Sequence, residues 1–259
     1  EKIDSFVEKI EPYLIVVIIA SFVGITGGVL GALLIKTIDI FTNIRNAIPY
    51  VILAMPLIGI LIVYLNKTFN TNKDGREIIN KAITKEEDID DYMAPSMFVT
   101  TTLSHLAGAA VGRMEAPIKM GGGIGTYISK FFSLKKKNRA TIIASGVAAL
   151  FASVFGAPFT GTIFAYELCF SKNQKKPIYI LPVLLAAAFS RFICFALGAN
   201  SFIDNLIYIH HAEYGLKQII PILLLIGICL IFALIFNKIQ DGSKKLFSKI
   251  KNEYVRIVI

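Results

Sequence analysis

Five long apolar segments constrain the fold of this chain more than any other feature of its sequence. They cover residues 12–35, 47–65, 139–170, 177–199 and 216–236. Each approaches or exceeds the roughly 20 residues that an α-helix needs to cross the hydrocarbon core of a bilayer. Their apolar residues fall in blocks rather than in the period of an amphipathic helix or strand. The sequence therefore predicts an all-α, polytopic membrane protein.

The distribution of charge agrees with a membrane protein and also predicts its orientation. Charged residues make up 17% of the chain, against about 25% in a typical soluble domain. The net charge of +9 comes from basic residues in the connections and in the C-terminal tail. The positive-inside rule places these segments in the cytoplasm, whereas the loop 200–214 has no Lys or Arg and suits the outside. We expect cytoplasmic N- and C-termini in the inner or plasma membrane, and a basic surface that faces anionic lipid rather than nucleic acid.

Glycine and proline interrupt two of the apolar runs, which predicts helices that break at membrane depth. The first interruption is GAAVGRMEAPIKMGGGIG, at 108–125, and the second is SVFGAPFTGTIFAYEL, at 153–168. Irregular backbone at this depth is tolerated only where it is buried in protein or lines a watery cavity. Pro117 and Pro158 each fall where a first helical turn would begin, because the missing N–H of proline costs nothing there. Each interruption therefore predicts a loop followed by a new helix.

The first interruption predicts an anion site on electrostatic grounds. A helix N-terminus presents unpaired N–H groups and about half a positive charge. Arg113 adds a full positive charge beside it. The alternative is a kinked packing helix in which Arg113 pairs with Glu115 for structural reasons only. Because the break and the charges coincide, we favour the functional interpretation.

These segments resemble the CLC family of chloride channels and anion/proton antiporters, in its bacterial EriC-like branch. GRMEAPIKMGGGIG keeps the Gly-Arg, the Met-Gly-Gly and the spacing of the family's GREGP motif and following glycine-rich helix start. SVFGAPFTGTIFAYEL is similar to the family's next broken helix, and MAPSMFVTTTLSHLAG looks like the helix before the motif. The three segments follow one another in the family's order over residues 93–168.

The resemblance implies an inverted-repeat architecture in which helix ends meet around the anion at the bilayer midplane. On this basis the chain is one CLC-like transmembrane domain, 1–259, with the first repeat at about 1–199. The first helix of the second repeat and a basic cytoplasmic tail would occupy about 213–259. The second repeat is incomplete, so the chain is cropped, the gene is truncated, or a partner supplies the missing segment. The sequence leaves these three explanations open.

The resemblance also assigns residues to the anion path. The anion-binding positions that it implies are Gly112, Arg113, Met114, Glu115, Ala116, Pro117 and Ile118. Supporting positions are Gly75, which best matches the family's early serine motif, together with Lys119, Gly156 and Pro158.

The chain departs from the family at both carboxylates of the proton path. The family's gating glutamate position holds Met114, with Glu115 one residue later. The inner proton-transfer glutamate position holds Leu168, with Glu167 one residue before. Because methionine carries no proton and cannot mimic an anion, these changes argue against tight proton coupling. Glu115 either competes with the permeant anion or forms a salt bridge to Arg113 or Lys119, and we favour the salt bridge slightly.

We therefore expect passive, channel-type transport of a small monovalent anion such as chloride, and no enzymatic activity. Two alternatives stay open: a non-conducting, incomplete CLC-like subunit, and an anion/proton antiporter that uses Glu115. We expect neither a cofactor nor a metal, because the three cysteines and His105 are typical of packing or hydrogen-bonding residues. The resemblance further implies a homodimer that forms through residues around 160–197, where Arg191 would be an interface or cavity residue.

Overall fold

The fold is all-α over the part of the chain that the structure describes. The structure is a computed structural model that describes every residue except 1, 70, 72–73, 85–86, 110–113, 135, 170–177, 202–218 and 249–259. The side chains of 2–12, 49, 136–137 and 244–248 are likewise not described. The α-helices are α1 (Lys2–Ala47), α2 (Met55–Thr68), α3 (Gly75–Thr84), α4 (Met93–Leu106), α5 (Glu115–Phe131), α6 (Lys136–Phe155), α7 (Pro158–Cys169), α8 (Ile180–Ala196) and α9 (Ile219–Ser248). A short 3₁₀ helix, Pro49–Ala54, precedes α2.

Four of these helical stretches are long and apolar enough to cross a membrane. They are Tyr13–Ala47, Tyr50–Thr68, Asn138–Phe155 and Ile219–Ser243, and the helix Ile180–Ala196 is shorter but also apolar. The predicted segment 139–170 is therefore two helices, α6 and α7, which separate at the predicted second interruption. The prediction of an all-α membrane protein with broken helices is confirmed.

The chain divides into two compact units, Glu1–Ile207 and Tyr208–Ile259. In the first unit α6 is the central helix, because it packs against α1, α5, α7 and α8. The second unit contains α9, and the predicted basic tail after it lies outside the described residues.

Small residues set the helix spacing in the first unit. A Cβ atom added to Gly24 of α1 would lie 2.5 Å from the carbonyl oxygen of Ala186 in α8. One added to Gly146 of α6 would lie 2.1 Å from the carbonyl oxygen of Gly121 in α5. These distances are too short for any side chain, so the backbones are in direct contact. Close packing of this kind is a main source of helix association in a bilayer, because the hydrophobic effect does not drive helices together in lipid.

Helix α4 is polar but lies inside the bundle. Thr100, Ser104 and His105 are buried, and α4 packs against α1, α2 and α5. His105 uses its Nδ1 atom in a 2.8 Å hydrogen bond with the Thr101 carbonyl oxygen. Arg45, at the end of α1, donates a 3.1 Å hydrogen bond to the His105 carbonyl oxygen. His105 therefore has the packing and hydrogen-bonding role expected of it.

Ion pairs join the loop before α4 to the C-terminal end of α5 and the N-terminal end of α6. The Asp88 carboxylate lies 2.6 Å from Arg139 Nη2 and 3.4 Å from Lys130 Nζ. Asp91 lies 3.1 Å from the same Lys130 ammonium. These contacts fix one end of α5, whereas the candidate site lies at its other end.

Candidate anion site

The first predicted break lies between α4 and α5. Helix α4 ends at Leu106, Gly108 follows with a φ of +77°, and α5 begins at Glu115. Pro117 is the third residue of α5, within the first turn, as the sequence predicts. Gly112 and Arg113 lie outside the described residues, so their predicted roles in anion binding stay predictions.

The N-terminal ends of α3 and α5 meet at a carboxylate. Gly75 is the first residue of α3, and its backbone N–H donates a 2.8 Å hydrogen bond to Glu115 Oε1. The side chain of Ile118 also packs on Gly75, because a Cβ atom at Gly75 would lie only 2.9 Å from Ile118 Cγ2. Glu115 thus places a negative charge on an N–H group at the start of α3, where the helix dipole favours it. Gly75 therefore lies beside the first residue of α5.

Lys119 completes this contact from one turn further along α5. Its ammonium lies 3.0 Å from the same Glu115 Oε1 atom. It also donates a 3.0 Å hydrogen bond to the Thr71 carbonyl oxygen, on the segment before α3. The Lys119 side chain is only 8% exposed, whereas that of Glu115 is 43% exposed. A buried ammonium is costly unless it is paired and hydrogen-bonded, and these two partners meet that need.

A cavity of about 260 Å³ opens beside this ion pair, between α2, α4 and α5. Five residues other than the ion pair give it a polar lining: Asn66, Thr71, Thr100, Thr101 and Ser104. These five residues were not among the site positions predicted from the sequence. The hydroxyl residues at an i, i+4 spacing in the buried helix α4 were the signal that could have found part of this wall.

The other described residues of the GRMEAP motif and the following Ile118 lie at the start of α5. Met114 precedes the helix, and its side chain is 45% exposed. Ala116 and Ile118 are buried. Pro117 has no N–H, and the Ile118 N–H donates to the Met114 carbonyl oxygen at 3.4 Å. In this turn, the N–H groups that lie before the first hydrogen bond of the helix are therefore those of Glu115 and Ala116.

The second predicted break lies between α6 and α7 and contacts α8 and the segment after it. Gly156 has a φ of +77°, and Pro158 is the first residue of α7. A Cβ atom at Gly156 would lie 2.2 Å from Ser201 Oγ and 3.6 Å from Arg191 Cζ. The contacts described for Gly156 therefore run to α8 and the segment after it.

Exposure differs between Leu168, which the resemblance to the family places at the inner proton-transfer position, and its neighbour Glu167. Leu168 packs, partly buried, against the apolar core, whereas Glu167 is exposed. Both lie near the end of α7, which also contacts α3.

The fold and the site define a class of protein: an α-helical membrane protein in which two helix N-termini meet inside the bundle around a negative charge. A family model described as voltage gated chloride channel matches residues 59–259. The chain therefore belongs to this family, which is the CLC family.

Curated relatives in this family have two kinds of activity in their names. The chloride/fluoride channel protein of Pseudomonas syringae pv. tomato is 26% identical over 206 residues, which are 79% of this chain and 43% of that protein. The H(+)/Cl(−) exchange transporter ClcA of Vibrio vulnificus is 27% identical over 155 residues, or 59% of this chain and 33% of the relative.

The fold is similar to solved structures of the family. The crystal structure of a CLC-type fluoride/proton antiporter matches with a TM-score of 0.78 and 25% identity, over 94% of this chain and 62% of that one. The chain thus spans less than two thirds of each of these proteins.

Proposed function

We propose that the protein to which this chain belongs conducts small monovalent anions such as chloride passively, without tight proton coupling. The observation that carries the proposal is the position of the Glu115 carboxylate, which contacts both the Gly75 N–H and the Lys119 ammonium. A place that binds a carboxylate through a helix N-terminus and a buried cation has the electrostatics that a free anion needs. Passive conduction of an anion requires no bond to be formed or broken.

Two side chains support anion transport that is not coupled to proton transport. Met114 holds the position of the family's gating glutamate, and a thioether neither carries a proton nor binds as an anion. Leu168 holds the inner position and packs against apolar residues. The relatives' names include a channel and an exchange transporter, so coupling is proposed from these residues and not from the names.

One observation favours a second candidate, an anion/proton antiporter that uses Glu115. Its carboxylate is 43% exposed, borders the cavity and contacts the N-terminus of α3, so it could exchange a proton there. A non-conducting CLC-like subunit is a third candidate, motivated by the absence of a carboxylate at position 114, where the chain has Met114.

A flux assay on the complete protein, reconstituted into vesicles, distinguishes these candidates. The channel proposal predicts chloride efflux down its gradient with no accompanying proton uptake. Proton uptake in a fixed ratio to chloride efflux, abolished by Glu115→Gln, would establish the antiporter instead. Efflux no greater than from empty vesicles would leave only the non-conducting subunit.

We also propose that two copies pair through α7 and α8, with cytoplasmic termini and Arg191 close to the contact. Large apolar side chains of these helices are exposed, namely Phe159, Ile163, Phe192 and Phe195. Their exposure fits either a second copy or lipid. Cysteine cross-linking across this face in native membranes tests the pairing, and accessibility of a C-terminal tag from the cytoplasmic side tests the orientation.

A further inference from the structure

Arg45 joins the C-terminal ends of two helices of the first unit. It lies in the last turn of α1, and its Nη1 atom donates a 3.1 Å hydrogen bond to the carbonyl oxygen of His105, the last residue but one of α4. A Cβ atom built on Gly108 would lie 3.3 Å from Arg45 Cδ, so the stem of the arginine packs on the start of the connection to α5. Arg45 therefore contacts both the end of α4 and the segment that leads to the candidate site.

The end of α4 is already capped by its own backbone. Gly108, which has a φ of +77°, donates its N–H to the His105 carbonyl oxygen at 3.2 Å. Ala109 donates its N–H to the Ser104 carbonyl oxygen at 3.0 Å. These two hydrogen bonds form a Schellman motif, which ends a helix without help from a side chain. What the guanidinium adds to this cap is a full positive charge.

The charge of Arg45 faces helix dipoles rather than a carboxylate. None of the ion pairs that the structure describes includes Arg45. The C-terminal ends of α1 and α4 meet at this residue, and each carries about half a negative charge. One guanidinium therefore offsets the negative ends of both helices.

The end of α4 that Arg45 caps is also a wall of the cavity beside the candidate site. Ser104, which directly precedes His105, lines this cavity together with Glu115. The Ser104 hydroxyl donates its proton to the Thr100 carbonyl oxygen at 2.7 Å, so it offers the cavity lone pairs rather than a donor. Charges interact more strongly in the low dielectric of a protein interior than in water. Without Arg45, an anion that enters the cavity would meet an uncompensated negative helix end.

We propose that Arg45 is a positioning residue for anion conduction, which offsets the negative ends of α1 and α4 so that a monovalent anion can enter the cavity. The inference rests on the proposed anion conduction and assigns a further residue to it. Arg45 acts on the anion through space, because its described contacts are with His105 and Gly108 and not with the residues around Glu115.

The dependence of flux on salt separates this electrostatic role from a structural one. The complete protein is reconstituted into vesicles at constant chloride, and a salt of a large, impermeant anion sets the ionic strength. At about 10 mM, where charges act over about 30 Å, Arg45→Gln should reduce chloride flux by roughly tenfold. At about 1 M, where this distance falls to about 3 Å, its flux should recover to within about twofold of the native value. Arg45→Lys, which keeps the charge, should stay close to native flux at both ionic strengths.

The matched control is Lys36→Gln, which removes the same charge from the same helix. Lys36 is exposed and precedes Arg45 by nine positions, which is roughly 13 Å along the helix axis. Its flux should stay within about twofold of the native value at both ionic strengths. If Arg45→Gln does not yield monodisperse protein, Arg45→His provides a charge that can be switched in one folded protein. Its flux relative to native protein should be higher at about pH 5 than at about pH 8.

Three results would overturn the proposal. They are native flux in Arg45→Gln at low salt, a loss in this variant that persists unchanged at high salt, and an equal loss in Lys36→Gln. Each of them would leave the proposed anion conduction intact, because each requires chloride flux from the native protein. No flux from the native protein would instead refute the conduction itself, and the role of Arg45 with it.

Discussion

The Glu115 carboxylate accepts the backbone N–H of Gly75 at 2.8 Å, across 40 positions of sequence. This one hydrogen bond joins the first residue of α3 to the first residue of α5. Two helix N-termini, each with a partial positive charge, thereby share one negative charge inside the bundle.

Gly75→Ala should disturb the junction of α3 and α5. The added methyl would lie 2.9 Å from Ile118 Cγ2 and 3.2 Å from Glu115 Oε1, so the carboxylate must move away from the N–H. We expect a loss of about 1–3 kcal/mol of stability, typical of overpacking, visible as a lower unfolding temperature in detergent. Gly227→Ala is the control, since a Cβ atom there meets nothing within 4 Å. A melting temperature unchanged by Gly75→Ala would contradict the described contact.

Lys119→Met should reduce chloride flux by about tenfold or more, because it removes the buried positive charge from the proposed anion site. Lys130→Met removes a cation from the same helix, but its partners Asp88 and Asp91 lie at the other end of α5. Its flux should stay close to that of the native protein. Equal losses in both variants, measured in vesicles with equal amounts of protein, would show that Lys119 acts only through general charge or folding.

Met114→Glu should introduce a dependence of chloride flux on pH. The change places an ionisable group next to the N-terminus of α5, at the position that the resemblance assigns to the family's gating glutamate. A carboxylate there competes with anions when charged and releases the site when protonated, so flux should rise as pH falls. The native protein, measured over the same pH range, should show a weaker dependence. An identical pH profile for both proteins would argue that Met114 does not border the anion path.

Asp88 predicts a small pH dependence of stability. Partial burial raises the pKa of Asp88, but the hydrogen bond and charge of Arg139, with the charge of Lys130, lower it further, to a net value below the ordinary one. A carboxyl whose pKa is lower in the folded state stabilises the protein above its unfolded pKa of about 3.9 and loses that contribution as pH falls through the folded value. Because Asp88 is largely exposed, we expect the contribution to be about 1 kcal/mol or less.

The unfolding temperatures of the native protein and Asp88→Asn, compared at neutral pH and then toward pH of about 3, test this. The native protein should be slightly more stable at neutral pH, and the difference should shrink as the pH falls. A difference that grows on acidification would contradict the sign of the shift.

Gly146→Ala should prevent α5 and α6 from packing. Its Cβ atom would lie 2.1 Å from the Gly121 carbonyl oxygen, which belongs to the backbone and cannot rotate away. Gly123→Ala is the matched control on α5, because its nearest contacts would be an ordinary 3.5 Å. We expect Gly146→Ala to lose the monodisperse peak in size-exclusion chromatography while Gly123→Ala keeps it. Equal behaviour of the two variants would mean that the helices are not in backbone contact.

The local features of this fold could be predicted because their causes lie within a few residues of sequence. The positive φ of Gly108 and Gly156 and the early helical positions of Pro117 and Pro158 follow from the properties of glycine and proline. The burial of α4 follows from the high cost of exposing its hydroxyl groups to lipid.

The partners within the site could not be predicted in the same way. The contacts of Glu115 with Gly75 and of Lys119 with Thr71 join positions 40 and 48 residues apart, and no local pattern encodes them. The sequence offered Arg113 and Lys119 as partners of Glu115. The structure shows the contact with Lys119, and Arg113 lies outside the described residues. The hydroxyl wall formed by Thr100 and Ser104 was also missed, because it gains meaning only when α2 and α5 complete the cavity.

The location of the bound anion is the most direct test of the proposed site. Crystals of the complete protein carrying Glu115→Ala, grown in bromide and measured at the bromine absorption edge, would place the anion by its anomalous signal. We expect a peak in contact with both Gly75 N and Lys119 Nζ, where the Glu115 carboxylate oxygen lies in the native chain. Bromide peaks elsewhere in the transmembrane region, with none at these two atoms, would contradict it.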